Sequence, residues 1–270
     1  MRWEKRQITV EGEKAILELL KSMWNTERIY FTAGRVLGEE LRQALSPTTT
    51  LVEVSAKDME LMTSLKTPPG LLALATMPEK AGRAEHTDGV WLYLDCMNDP
   101  GNVGTLVRVA DWFGMAGVVM STDSADPFGP KAVQSAMGSA FHTPIRIQNF
   151  TDLPARWKGR VVGLDAGGQN LFELPSDQAP ALLVVGSESH GLSEDVSSAC
   201  HAMASIPGAG RAESLNASVA GAIAAASLVQ QMSDLLPFFR DIKQMETWFQ
   251  MQGVTSSRLL AAVSAAFDNV

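Results

Sequence analysis

Residues 181–191 read Ala181-Leu182-Leu183-Val184-Val185-Gly186-Ser187-Glu188-Ser189-His190-Gly191. Five apolar residues in a row, with no polar alternation, describe a strand buried on both faces, as in a parallel sheet covered by helices. The run ends at Gly186, where the absence of a Cβ permits positive φ and close approach of backbone or ligand. Glu188, between Gly186 and Gly191, is either an acid at the start of a helix or part of a site.

The same pattern recurs on both sides of this segment. Gly89-Val90-Trp91-Leu92-Tyr93-Leu94 reads as a buried strand that delivers Asp95 to Asn102 as a loop, and Val103 to Phe113 has helical periodicity through Leu106, Val107, Ala110 and Phe113. Arg108 then lies about one and a half turns into that helix. Val118-Val119-Met120 and Val161-Val162-Gly163-Leu164-Asp165 are further strands, and Pro130 to Phe141 reads as a short scaffolding helix under a tight loop. Ala202 to Pro207 is the last strand, followed by a polar excursion to Ala212 and a helix from about Glu213 to Met232, dense in alanine and glycine. Strand, polar turn and helix recur three times, so three loops are expected to gather at the carboxyl edge of one parallel sheet, where α/β proteins place their sites. Taken singly, Asn102, Ser214 and Asn216 read equally well as helix caps, and Arg108 as a surface cation.

The first 80 residues alternate as βαβαβαβ. Ile8-Thr9-Val10, Arg28 to Thr32, Leu51 to Val54 and Leu71 to Ala75 are the strands. Helices run through Ala15 to Leu20, Val36 to Leu45 and Ala56 to Leu65. Arg35 and Arg42, two turns apart on one helix face, read as a solvated face or a phosphate-touching strip. A hydrophilic stretch at residues 81–88 links this unit to the second, residues 89–235, and a helical extension with Trp248, Phe249 and Phe267 follows at 236–270.

The chain has 270 residues and a formal net charge of −8. Residues 1–87 balance 12 basic against 12 acidic side chains, whereas residues 88–270 hold 10 against 18. Any contact with RNA therefore relies on local basic clusters and shape. No apolar stretch reaches the roughly 18 residues that cross a bilayer and no signal-peptide core follows Met1, so a cytoplasmic protein is expected. Cys96 and Cys200 read as reduced structural thiols. Gly101-Asn102-Val103-Gly104 is neither a dinucleotide fingerprint nor a P-loop, which argues against a nicotinamide enzyme.

Taken together, the three loops resemble those of the SpoU, or TrmH-like, family of RNA ribose 2′-O-methyltransferases in the SPOUT superfamily. The resemblance spans nearly all of residues 5 to 235. It rests on Asn98-Asp99-Pro100-Gly101-Asn102-Val103-Gly104 through Arg108, Val185 to Ser193, and Ile206-Pro207 through Glu213-Ser214-Leu215-Asn216-Ala217-Ser218-Val219-Ala220. It implies an α/β fold with a parallel sheet and a deep trefoil knot, plus a small amino-terminal α/β domain that binds structured RNA, rRNA or tRNA. It also implies a homodimer with the last helix near its interface. The implied cofactor is S-adenosylmethionine, with no metal. Gly186, Ser187, Glu188, Gly191, Ile206, Ser214, Leu215 and Asn216 would hold the cofactor, and Arg108, Asn102, Glu188, Ser214 and Asn216 would surround the reacting centre. Gln134 stands where relatives often carry arginine. A relative that binds RNA or cofactor without catalysis is the alternative.

Overall fold

The computed structural model describes residues 2–82, 90–153, 161–174 and 182–234. Most of the expected linker and the whole 236–270 extension lie outside the described residues. Two sheets organise the rest. The first contains β1 (Gln7–Glu11), β2 (Asn25–Thr32), β3 (Thr50–Val54) and β4 (Leu71–Thr76) in the order β1-β4-β2-β3. β4 runs antiparallel to both neighbours and β2 parallel to β3, so Ala73 lies opposite Val10 on one side and Ile29 on the other. Helix α1 (Arg2–Lys5) precedes this sheet, and α2 (Glu13–Lys21), α3 (Glu39–Ala44) and α4 (Ala56–Met62) connect its strands. α2 buries Ala15, Ile16 and Leu19, one apolar stripe at helical spacing, in the core that holds Ile8, Val10 and Ile29.

The second sheet consists of β5 (Trp91–Leu94), β6 (Gly117–Met120), β7 (Ile145–Ile147), β8 (Val161–Asn170), β9 (Leu182–Val185) and β10 (Ala202–Ser205). Its order is β10-β8-β9-β5-β6-β7, and every pairing is parallel. β5, β6 and β9 are buried at all four positions, as their uninterrupted apolar sequences require. Leu92, Val118 and Leu183 face one core, which continues into that of the first sheet. Trp91, Tyr93, Val119 and Val184 face a second core beneath α7 (Glu194–Ala199). On the first face lie α5 (Pro100–Trp112), α6 (Pro130–Ala136) and α8 (Ala217–Asp234).

Two glycines set how closely these helices approach. A Cβ on Gly104 would stand 2.1 Å from the carbonyl oxygen of Ala132, and one on Gly221 would stand 2.5 Å from Leu106 Cδ2. α6 and α8 can therefore nest against α5 only because those positions lack side chains.

From β5 the chain builds outward through β6 to β7, then returns to build β8, β9 and β10 on the other side. The strand order reverses between β5 and β9, and the crevice beyond the carboxyl ends of such a pair is the usual ligand position in open α/β sheets.

Several expectations are corrected. α3 begins only at Glu39, so Arg35 shares no helix with Arg42. Arg35 instead donates to the Pro69 carbonyl at 2.8 Å and to Glu13 at 3.0 Å, which removes the proposed basic strip. α4 stops at Met62, β10 stops at Ser205 and α8 begins at Ala217, not Glu213. Strand β7 was not expected. Among the described residues no helix is long and apolar enough to cross a membrane.

Candidate active site

α5 begins earlier than its apolar periodicity indicates. Asp99 is its N-cap, accepting from the backbone N–H groups of Gly101 and Asn102, and Pro100 occupies the first turn, where its missing N–H costs nothing. Asn102 is consequently a first-turn residue whose side chain is free for other partners, and the reading of Asn102 as a cap is wrong. Arg108 lies eight residues beyond Pro100, about two turns into the helix.

The loop after β9 folds back on itself. Ser187 and Gly191 exchange two backbone hydrogen bonds of 3.0 and 2.9 Å, and Ser187 Oγ accepts from the His190 N–H at 3.2 Å. Gly191 supplies the positive φ, +66°. Gly186 supplies the close approach, since a Cβ there would lie 2.3 Å from the Gly191 carbonyl carbon. This hairpin lifts Glu188 over the carboxyl edge, so it is not the first acid of a helix.

The third loop leaves β10 at the edge of the sheet and returns to the start of α8, which packs on α5 and β9. Asn216 ends that return as the cap of α8: its Oδ1 accepts from Ser218 N at 2.9 Å, Ser218 Oγ at 2.6 Å and Val219 N at 3.2 Å. Its amide nitrogen is thereby turned outward.

These local arrangements converge on one triangle. Asn102 Nδ2 donates to Glu188 Oε1 at 2.8 Å, Asn216 Nδ2 donates to Asn102 Oδ1 at 3.1 Å, and Asn216 Nδ2 also donates to Glu188 Oε1. Each residue comes from a different loop, with sequence separations of 86, 114 and 28. Asn102 is buried, while Glu188 and Asn216 face solvent, so the triangle has a closed floor and an open side. The carboxylate receives two amide N–H groups, and charge-assisted bonds of this type are stronger than neutral ones.

The remaining expected residues take no part in the triangle's side-chain hydrogen bonds. Gly186 is buried, Ser187, Gly191 and Ile206 are half-buried, and Ser214 and Leu215 are exposed. Among the described residues neither Ser214 nor Arg108 forms a side-chain hydrogen bond or ion pair. Arg108 emerges on the outward face of α5, one turn from Trp112, which is 80% exposed.

Asp95 was passed over in the sequence. It is 2% exposed at the end of β5, and its Oδ2 accepts from Ser193 N at 2.6 Å, tying the β5 loop to the β9 loop beneath the triangle. An acid directly after an all-apolar strand was the available signal, because a buried carboxylate requires a donor. Burial, together with the neighbouring Asp95 charge, raises the Tyr93 and Cys200 groups, Cys200 to about 11, so this thiol stays protonated near neutrality. A second omission is the excursion of β8. Its register with β10 jumps from Gly163 to Gln169, so residues 164–168 bulge out of that pairing within the strand, and Asp165 Oδ1 accepts from Gly167 N at 2.8 Å.

Comparisons with known proteins agree on the family. The SpoU rRNA methylase family model matches residues 89–226, and an MRM3-like substrate binding domain matches residues 1–73. A protein of Mycolicibacterium paratuberculosis described as an uncharacterized tRNA/rRNA methyltransferase is 32% identical over 239 residues, 83% of this chain and 77% of its own length. Among solved structures, the SpoU methyltransferase AviRb of Streptomyces viridochromogenes, in complex with AdoMet, superposes with a TM-score of 0.73 at 27% identity. That match covers 85% of this chain and 92% of AviRb. A structure described as an RNA 2′-O ribose methyltransferase superposes with a TM-score of 0.74 at 26% identity, covering 85% of this chain and 90% of the other. The α/β fold with its parallel sheet is thus shared with these methyltransferases, and the chain belongs to the SpoU rRNA methylase family.

Proposed function

We propose that this protein transfers a methyl group from S-adenosylmethionine to a ribose 2′-hydroxyl of rRNA or tRNA, in the cytoplasm. The observation that carries the reading is the Asn102–Glu188–Asn216 triangle, which joins three distant loops at the carboxyl edge where the strand order reverses. The AdoMet complex of AviRb supports the cofactor, and the described 2′-O activity of the second structural neighbour supports the acceptor.

The loops carry groups suited to such a cofactor. Ile206 and the 46%-exposed Leu215 offer apolar contact for a purine, and Gly208 and Gly210 have no neighbour within 4 Å that a Cβ would meet, leaving backbone groups accessible. The backbone around Gly186, Ser187, Gly191, Ile206 and Leu215 would hold the adenosine and methionine parts, with Ser214 at the mouth. When bound, S-adenosylmethionine supplies an electrophilic methyl carbon on a sulfonium. We infer that the return from β10 to α8 is threaded as a trefoil knot, since it crosses from an edge strand to the centre of the sheet.

In the transfer, a C–O bond would form to the methyl carbon as its C–S bond breaks, the neutral thioether would leave, and the 2′-hydroxyl proton would pass to solvent water. Alignment of the hydroxyl behind the methyl carbon supplies much of the acceleration. Asn102, Ser214 and Asn216 orient hydroxyl and cofactor, while Glu188 fixes the two amides and so holds the loops in register. Arg108 grips the RNA phosphate and stabilises negative charge developing on the 2′-oxygen, because a guanidinium with a pKa above about 12 is a poor base. The residues 1–80 unit binds the RNA, in keeping with the substrate-binding-domain match. A homodimer fits the outward faces of α5 and α8, which expose Trp112, one turn from Arg108, and Val219.

The test is transfer of labelled methyl to unmodified RNA, followed by digestion to nucleosides and mass spectrometry. Label in a 2′-O-methylnucleoside, lost in Arg108→Ala while cofactor affinity persists, is expected. Label on a base, or full activity in that variant, would overturn the assignment.

A further inference from the structure

α6 lies between the two sheets: it packs against β1 on one side and against α5 on the other. Its second residue, Lys131, reaches across to the loop before α5. Lys131 Nζ stands 3.0 and 3.1 Å from the two carboxylate oxygens of Asp99. Asp99 in turn caps α5 through the N–H groups of Gly101 and Asn102, and Asn102 is the buried corner of the triangle. Gly101 makes room for this crossing, since a Cβ there would lie 3.3 Å from Lys131 Cε and 2.8 Å from Asp99 Oδ1. Nor can α6 slide, because Gly104 is seated against the Ala132 carbonyl.

We propose that Lys131 is a positioning residue: through Asp99 it fixes the first turn of α5, and with it the direction of the Asn102 side chain toward Glu188 and Asn216. A cation anchored on α6 neutralises the cap carboxylate at both oxygens, which orients that carboxylate toward Gly101 and Asn102. The depressed protonation of Asp99, caused first by the Lys131 hydrogen bond, accords with this arrangement. The same helix carries the contact to β1, so the placement of the amino-terminal unit and that of Asn102 share one support. The catalytic consequence rests on the methyltransferase reading. The structural consequence does not.

The experiment compares full-length wild type with Lys131→Met, Lys131→Arg and Asp99→Asn, by amide NMR and by methyl transfer to unmodified total RNA. In Lys131→Met, the Gly101 amide should follow Asp99 titration at a higher pH than in wild type, and the Asn102 side-chain amide resonance should shift and broaden. kcat should fall about tenfold, with KM and its salt dependence unchanged. Lys131→Arg should restore both, and Lys131→Met combined with Asp99→Asn should be no worse than the poorer single variant, as for residues acting in series. An unchanged Asn102 resonance in Lys131→Met would overturn the proposal. So would a raised KM with a shallower salt slope, the signature of a lysine that contacts phosphate directly. If no variant transfers methyl, the function reading fails, and the Asn102 resonance still decides the role of Lys131.

Discussion

The joint between the two sheets and the carboxyl edge of the second sheet both bring distant segments together, by opposite means. At the joint, aromatic rings interlock: Trp3 and Trp24 pack on Phe128 at centroid distances of 5.7 and 5.3 Å, and Trp24 meets Phe141 at 5.2 Å. Phe128 is 2% exposed, and α2 backs onto the Gly138 turn so closely that a Cβ there would lie 2.4 Å from Glu18 Cβ. The Arg2–Asp126 ion pair, and a 3.3 Å approach of His142 Nε2 to the Glu18 carboxylate, flank these rings. At the carboxyl edge, by contrast, three polar side chains join loops that face solvent. Packing holds the joint, and hydrogen-bond geometry holds the edge. Damage to the first should appear as lost stability, and damage to the second as lost activity.

The largest effect is expected at the joint. Phe128→Ala removes a buried ring shared by two tryptophans and should cost about 3–5 kcal/mol of unfolding free energy, measured by denaturant titration. A cost below about 1 kcal/mol would mean that the rings do not fasten the two sheets. Glu188→Ala is the complementary change. It leaves the amides of Asn102 and Asn216 without their shared acceptor and should lower methyl transfer about a hundredfold, while shifting unfolding free energy by under about 1 kcal/mol because the side chain is exposed. If stability collapsed instead, the edge would be a structural fastener and the contrast would fail.

Gly138→Ala should destabilise by about 1–3 kcal/mol, since φ is +102° there and the new methyl meets α2. A neutral result by calorimetry would show that the turn can give way. The smallest effect concerns acid. The Asp99 and Glu27 carboxyls are held below their ordinary values, Asp99 mainly by Lys131 and Glu27 by Thr76 and Gln7. The unfolded chain therefore binds more protons in the interval between folded and unfolded values. Their contribution is complete above about pH 5 and lost as pH falls through the unfolded and then the folded values. Denaturation midpoints measured from pH 6 downward should decline less steeply in Asp99→Asn than in wild type; identical profiles would remove Asp99 from the acid response.

Legibility in the sequence followed the range of the interactions. The buried strands were readable because each is a short apolar run ended by a polar turn, and the three loops because each carries its own glycine and polar residues. Ile145–Ile147 escaped because three residues with a central arginine make no run; β7 exists through pairing with β6. Arg35 was misplaced because its partners, Glu13 and Pro69, are 22 and 34 residues away. The start of α5 was available in Asp99-Pro100, a cap followed by a first-turn proline, but apolar periodicity alone begins at Val103. In the site, the residue identities of the triangle were legible and its bonds were not. That Asn216 spends its oxygen on the α8 cap and its nitrogen on Glu188, or that Asp95 reaches Ser193 across 98 residues, depends on how the chain returns over the sheet edge.

The central claim is that three loops, locked by Asn102, Glu188 and Asn216, form one crevice for S-adenosylmethionine. Calorimetric titration of the cofactor into wild type and Asn216→Ala tests it most directly. Saturable binding by wild type, weakened at least about tenfold in Asn216→Ala with the fold intact, is the predicted result. Equal affinity in both proteins, or no binding to wild type, would contradict it.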